Sequence, residues 1–197
     1  MLKDKLHQYK IILASGSPRR QQFFKDLDLD FEIRLKDVEE IYPKNLTAGE
    51  ITDYLAELKA NAFAGELKKN DLLITSDTIV WLENKALGKP IDRQHAIEML
   101  SELSAKTHTV ITSVCFRTAD RSEIIRETTM VTFNYLTLNE IEYYVDNYNP
   151  FDKAGSYGIQ DWIGLIAVSR IEGSYANVMG LPVDKVYEYL NNFAGAD

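Results

Sequence analysis

A chain of 197 residues, 45% hydrophobic and 26% charged, has a globular balance and enough apolar material for one large domain or two closely joined lobes. Its net charge of −8 works against broad nucleic-acid binding, which needs surplus Lys and Arg to displace counterions, but leaves room for a compact cation cluster that grips one small polyanion such as a nucleotide. The single cysteine, Cys115, forms no intrachain disulfide; residues 1–10 lack the apolar stretch of a signal peptide, and no run approaches the roughly 20 apolar residues of a membrane span, so a cytoplasmic protein is expected.

No repeats or low-complexity tracts occur and composition marks no boundary, so residues 1–197 read as a single domain. The first apolar run, Ile11-Ile12-Leu13-Ala14, is β-branched and stopped by Ser-Gly-Ser-Pro, as in a buried strand. Residues 18–27 follow as a helix with Phe23, Phe24 and Leu27 on one face. Thr47-Ala48-Gly49-Glu50 fits a capping box, and Ile51, Tyr54, Leu55, Leu58 and Ala62 continue at helical spacing. Residues 72–75 read as a strand that stops at Asp77; residues 78–82 and 85–87 then form a hairpin turning at Glu83-Asn84.

Asp92 is a cap for a third helix that turns Ala96, Ile97, Met99, Leu100 and Leu103 inward. Two β-rich segments, residues 107–117 and 123–135, flank a turn near Asp120. Thr137-Leu138-Asn139-Glu140 repeats the capping-box pattern for a helix to about residue 147. Residues 165–171 read as a strand and 183–193 as a closing amphipathic helix. Strand pairs set among helices predict an α/β fold with a mixed sheet.

The loop Ser15-Gly16-Ser17-Pro18-Arg19-Arg20 is a sound anion site. Ser17 stands at an N-cap position and Pro18 at the first helical turn, where its missing N–H does no harm. The unpaired N–H groups and the helix dipole favour negative charge there, and Arg19 and Arg20 can add bidentate bonds to phosphate. From this motif alone, a capped surface helix with two solvated arginines fits equally well.

Other candidates gather along the chain. Asp77, in Thr75-Ser76-Asp77-Thr78, falls where a catalytic group is found in an α/β sheet, although a lone Asp there also serves as a turn former. Lys89, in Leu87-Gly88-Lys89-Pro90, and Lys59, on the polar side of its helix, either reach phosphates or point to solvent. Residues 152–160 and 173–182 are glycine-rich segments with polar handles, read either as functional loops or as ordinary turns.

Together these segments resemble the Maf family of nucleoside triphosphate pyrophosphatases. The resemblance rests on LASGSPRR, ELKANAFA, SDTIV, GKP, KTHTVITSV, DKAGSYGIQ and GSYANVMGLPV, which occur in the family's order and spacing. One departure is Ala105, where the family usually has glycine; a minor backbone change is expected there.

The resemblance implies a mixed twisted sheet flanked by helices, two lobes around a deep cleft, commonly as a homodimer. It implies hydrolysis of a nucleoside triphosphate to the monophosphate and pyrophosphate with a divalent metal, Mg²⁺ or Mn²⁺. Carried over by motif, Ser15, Arg19, Arg20, Lys59 and Lys89 hold phosphates, and Asp77 is the catalytic carboxylate, as proton acceptor or as metal ligand. A second carboxylate for the metal would come from Glu32, Glu39 or Glu40, with Glu40 preferred. Arg19, Thr78 and Gln160 match the dTTP/UTP branch; Gln160 offers both donor and acceptor to a pyrimidine edge. The family is also associated with arrest of septum formation, so a regulatory nucleotide-binding protein is the alternative.

Three dispersed histidines, His7, His95 and His108, do not suit a zinc site. His108 is expected to be structural and Cys115 a core filler. Tyr143, Tyr144 and Tyr148 are expected to pack a helix or a dimer face.

Overall fold

A computed structural model describes residues 1–195. The strands are β1 (Lys10–Leu13), β2 (Phe31–Ile33), β3 (Asp71–Leu82), β4 (Lys85–Leu87), β5 (Thr107–Arg117), β6 (Ser122–Phe133) and β7 (Val168–Glu172). The helices are α1 (Leu2–Lys5), α2 (Pro18–Asp26), α3 (Gly49–Asn61), α4 (Arg93–Leu103), α5 (Leu138–Tyr148), α6 (Trp162–Ala167), α7 (Tyr175–Val178) and α8 (Val183–Phe193). One seven-stranded sheet runs in the order β2-β1-β3-β5-β6-β7, with β4 paired to β3. β1 is parallel to β2 and β3, whereas β4 is antiparallel to β3 and β7 to β6. The sheet is mixed, as expected.

By its internal contacts the chain forms two compact units. The first holds Met1–Asp77, Thr112–Glu127 and the described residues from Gly180 on. Its strands bury both faces, and the alternation is legible in the core. Ile11, Leu13, Leu72, Ile74, Val114 and Phe116 pack with Phe24 of α2 and with Val186, Leu190 and Phe193 of α8. The intervening Ile12, Leu73 and Cys115 pack with Ala56 and Ala60 of α3 and with Phe63. Successive strand side chains point to opposite faces, so Thr75 and Asp77 continue the α3 face of β3 begun by Leu73.

The second unit, Thr78–Ile111 with Thr128–Met179, has its own core. The inward face of α4, namely Ala96, Ile97, Met99, Leu100 and Leu103, packs with Val80, Leu87, Phe133, Ile141, Tyr144 and Ile163. Asp92 caps α4 by accepting from His95 N–H at 2.8 Å. At α5 the full capping box forms between Thr137 and Glu140.

Several sequence expectations need correction. The strand at residues 72–75 does not stop at Asp77; β3 runs unbroken to Leu82, because Ile79, Val80 and Leu82 are as buried as Leu72 and Leu73 and keep the chain extended. The hairpin turn at Glu83 and Asn84 is present, both with positive φ (48° and 66°), as a two-residue type I′ turn requires. Residues 165–167 are helical, not extended: Ile163 and Ala167 are buried while Leu165 is 80% exposed, a spacing of four that fits α6. At α3 the capping box is incomplete. Glu50 accepts from Thr47 N–H, but the N-cap is Ala48, so Thr47 caps nothing with its side chain. The short α1, β2 and α7 were not anticipated.

Ala105 holds a left-handed φ of 58°. The preceding Ser104 has φ −55° and ψ 132°, and Lys106 N–H donates to Leu103 O at 3.2 Å. That is a type II turn with Ala105 at the position that favours glycine.

Candidate active site

In the first unit, the loop after β1 opens into α2 as the motif implied. Ser17 is the N-cap and accepts from Arg20 N–H at 3.5 Å, with Pro18 in the first turn. Ser15 is buried; its hydroxyl accepts from Ser17 N–H (3.3 Å) and its carbonyl from the Gln21 amide (3.0 Å). These bonds fix the loop backbone at the N-terminus of α2.

Arg20 is braced as well as charged. Its Nε donates to Gly180 O at 2.8 Å and its Nη1 to Ser76 O at 2.9 Å. Desolvation pulls its guanidinium below the usual arginine range, against which Asp77 and Glu40 act favourably and Arg19 adds repulsion. Two cations and two carboxylates therefore share one electrostatic neighbourhood.

The opposite charges meet at Lys59. Because Asp77 and α3 lie on the same face of β3, the Lys59 ammonium reaches Asp77 Oδ1 at 2.7 Å and Glu40 Oε1 at 3.1 Å. A further tie sets this approach: Thr75 Oγ1 donates to Ala56 O at 2.6 Å, joining β3 to α3 one turn before Lys59. Among the three glutamates considered, Glu40 alone joins Asp77 at Lys59; Glu32 is engaged by Lys10 and Arg34.

In the second unit, Thr78 is half-buried on β3, while Lys89 and Gln160 are exposed. Lys89 follows Gly88, whose carbonyl accepts from Gly155 N–H at 3.0 Å. Gln160 sits in the turn from Gly158 to Asp161, closed by Asp161 N–H donating to Gly158 O at 3.0 Å. Tyr144 is fully buried beside it; its hydroxyl accepts from Gly158 N–H (3.0 Å) and donates to Asp161 Oδ2 (2.7 Å). The sequence placed Tyr144 only in an aromatic cluster, and its bond to Asp161 has no local signature.

The residues set aside behave as expected. His108 is buried, its Nε2 2.8 Å from the Tyr157 hydroxyl and its ring edge-on to Phe133; burial pushes its pKa down to about 4. Cys115 is buried. Tyr143 stands edge-on to Trp162 and Tyr144 stacks on Tyr148. Among the described residues no three His, Cys, Asp or Glu side chains form a metal-holding group, and no helix is long and apolar enough to cross a membrane.

A pair of carboxylates converging on one cation suits Mg²⁺, which takes one or two carboxylates together with substrate phosphates. Here the Lys59 ammonium is itself the cation held by Asp77 and Glu40, so the donor set fits.

The chain is similar to known proteins along nearly its whole length. A dTTP/UTP pyrophosphatase of Flavobacterium johnsoniae is 66% identical over 190 residues, covering 96% of this chain and 98% of the relative. One from Bacteroides fragilis is 52% identical over 186 residues (94% and 96%), and one from Porphyromonas gingivalis 46% over 193 residues (96% and 97%). Among solved structures, the Staphylococcus aureus Ham1 protein superposes with a TM-score of 0.55 at 15% identity, covering 93% of this chain and 99% of that one; the likeness is one of fold. Residues 10–193 match the family described as Maf-like protein, from β1 to the end of α8, and the chain belongs to that family.

Proposed function

We propose that this chain hydrolyses dTTP and UTP to the monophosphate and pyrophosphate. The observation that carries the proposal is its 66% identity, over 96% of its length, to a dTTP/UTP pyrophosphatase. Asp77, Lys59 and Glu40 provide a physical basis for it.

Water attacks the α-phosphorus, the bond from that phosphorus to the bridging oxygen of the β-phosphate breaks, and pyrophosphate leaves. Asp77 accepts the proton of the attacking water, its carboxylate held in place by Lys59 Nζ at 2.7 Å. Charge accumulates on the phosphoryl oxygens, and positively charged or N–H groups already aimed at them lower the barrier without reorganising. Ser15, Arg19 and Arg20 serve this from the N-terminus of α2, with Lys59 and Lys89 as further phosphate ligands. Asp77 and Glu40 would hold a divalent cation, Mg²⁺ or Mn²⁺, which when bound would neutralise phosphoryl charge and make the attacking water more acidic. Thr78, Gln160 and Arg19 select the pyrimidine nucleotide.

The catalytic unit is the single domain of residues 1–197, acting as a homodimer on a free nucleotide and not on nucleic acid. A purely regulatory role is disfavoured, since a sensor has no use for a lysine-held catalytic carboxylate.

The test is a panel of dTTP, UTP, CTP, GTP and ATP with Mg²⁺ or Mn²⁺, assaying pyrophosphate separately from orthophosphate. Pyrophosphate from dTTP and UTP is expected. Orthophosphate alone, or tight binding without turnover, would overturn the assignment. Light scattering reads the oligomeric state in the same preparation.

A further inference from the structure

The turn that carries Gln160 is fixed by a group at its back. Gly158, Ile159, Gln160 and Asp161 form a four-residue turn closed by the bond from Asp161 N–H to Gly158 O (3.0 Å). The Tyr144 hydroxyl bonds both ends of this turn, accepting from Gly158 N–H at 3.0 Å and donating to Asp161 Oδ2 at 2.7 Å. One phenolic oxygen thus determines the first and last residues, and Gln160 is left exposed between them.

The surroundings leave the turn little freedom. Ile159 is buried, 5% exposed, next to the exposed Gln160. A Cβ on Gly158 would come within 2.5 Å of Asp161 Oδ2, and one on Gly164 within 1.9 Å of Ile159 O, so both glycines are needed for the close packing. Lys153 Nζ lies 3.7 Å from Asp161 Oδ2. Tyr144 itself is fully buried and stacks on Tyr148. Burial, with the bond to Asp161, pushes its phenol well above the usual range, so it remains a hydroxyl donor throughout the working pH range.

We propose that Tyr144, through Gly158 and Asp161, is a positioning residue for base selection: its hydroxyl presents Gln160 in the one orientation that recognises a pyrimidine base. The proposal rests on the assignment of Gln160 as a specificity residue. Tyr144 is fully buried and its hydroxyl is bonded to the two ends of the turn, so its contribution belongs in KM and in the choice between nucleotides. Recognition by hydrogen bonds depends on donors and acceptors held in register; a polar side chain free to swing gives up discrimination before it gives up turnover.

The experiment is a double-mutant cycle on the full chain with Tyr144→Phe, Gln160→Ala and the pair. Steady-state kinetics are measured on dTTP, UTP, CTP and GTP, with thermal melts to confirm that each variant is folded at the assay temperature. Tyr144→Phe is expected to raise KM for dTTP and UTP about tenfold while kcat stays within about twofold. It should narrow the preference over CTP and GTP, and the double variant should match Gln160→Ala alone. Asp161→Asn, which keeps an oxygen to accept from Tyr144, should lie between wild type and Tyr144→Phe. Additive losses, or a fall in kcat equal for every nucleotide, would overturn the positioning role. If Gln160→Ala leaves the preference for dTTP and UTP unchanged, the assignment of Gln160 is what fails, and the positioning role falls with it.

Discussion

The Lys59 ammonium sits 2.7 Å from Asp77 Oδ1 and 3.1 Å from Glu40 Oε1. Asp77 is only 6% exposed, so water screens this pair poorly and a lost partner is felt strongly.

Lys59→Met is therefore expected to lower kcat/KM for dTTP by on the order of 10²-fold or more. Lys59→Arg, which keeps the charge, should recover part of it. Asp77→Asn should abolish turnover while nucleotide binding persists, as read by calorimetric titration with dTTP. Turnover near the wild-type rate in Asp77→Asn would remove the catalytic assignment.

Arg20 and Arg19 are neighbours with different duties. Arg20 spends Nε and Nη1 on the carbonyls of Gly180 and Ser76, a fork that lysine cannot reproduce. Arg20→Lys should destabilise the fold by about 2 kcal/mol in urea unfolding, with activity lost as well. Arg19→Lys should leave stability within about 0.5 kcal/mol and act on KM. Equal stability losses in the two variants would show that the brace contributes little.

Ala105 occupies a left-handed position at φ 58°, where an L side chain is strained and glycine is not. Ala105→Gly should raise stability by about 0.5–1 kcal/mol, since the relieved strain exceeds the added flexibility of the unfolded chain. The midpoint of chemical denaturation reads this directly. A lower midpoint would mean that the turn does not strain alanine.

His108 gives the fold an acid sensitivity. Its pKa is about 4 in the folded chain against 6.5 for an ordinary histidine, because burial disfavours the imidazolium. Between these values the unfolded chain takes up the proton and the folded chain does not. Its full contribution is therefore present above about pH 6.5 and is lost as pH falls, at about 1.4 kcal/mol per pH unit. The total approaches about 3 kcal/mol near pH 4. In His108→Gln, the dependence of unfolding free energy on pH between 6.5 and 5 should flatten. An unchanged slope would place the acid sensitivity elsewhere.

The sequence by itself determined what rests on short-range physics. Asp92 capping His95 and Thr137 boxing with Glu140 join residues three apart; the turn at Glu83 and Asn84 joins adjacent strands. Such signals need only the local chain, so they were legible as residue types at fixed spacing. Where a local signal competed with burial, it misled: the polar Ser76-Asp77 looked like the end of a strand, yet apolar residues on both sides hold β3 extended through it. The family motifs nominated Asp77, Lys59 and Arg20, but not what each side chain holds.

Only the tertiary structure decided that. Lys59 and Asp77 are 18 residues apart, Arg20 and Ser76 are 56, and Arg20 and Gly180 are 160. No periodicity encodes such pairings; they follow from which face of β3 is turned to α3 and from where α2 meets the chain before α8. The bond from Tyr144 to Asp161 is of the same kind. Helix packing explains a buried aromatic ring, but only the fold shows that its hydroxyl holds both ends of a turn.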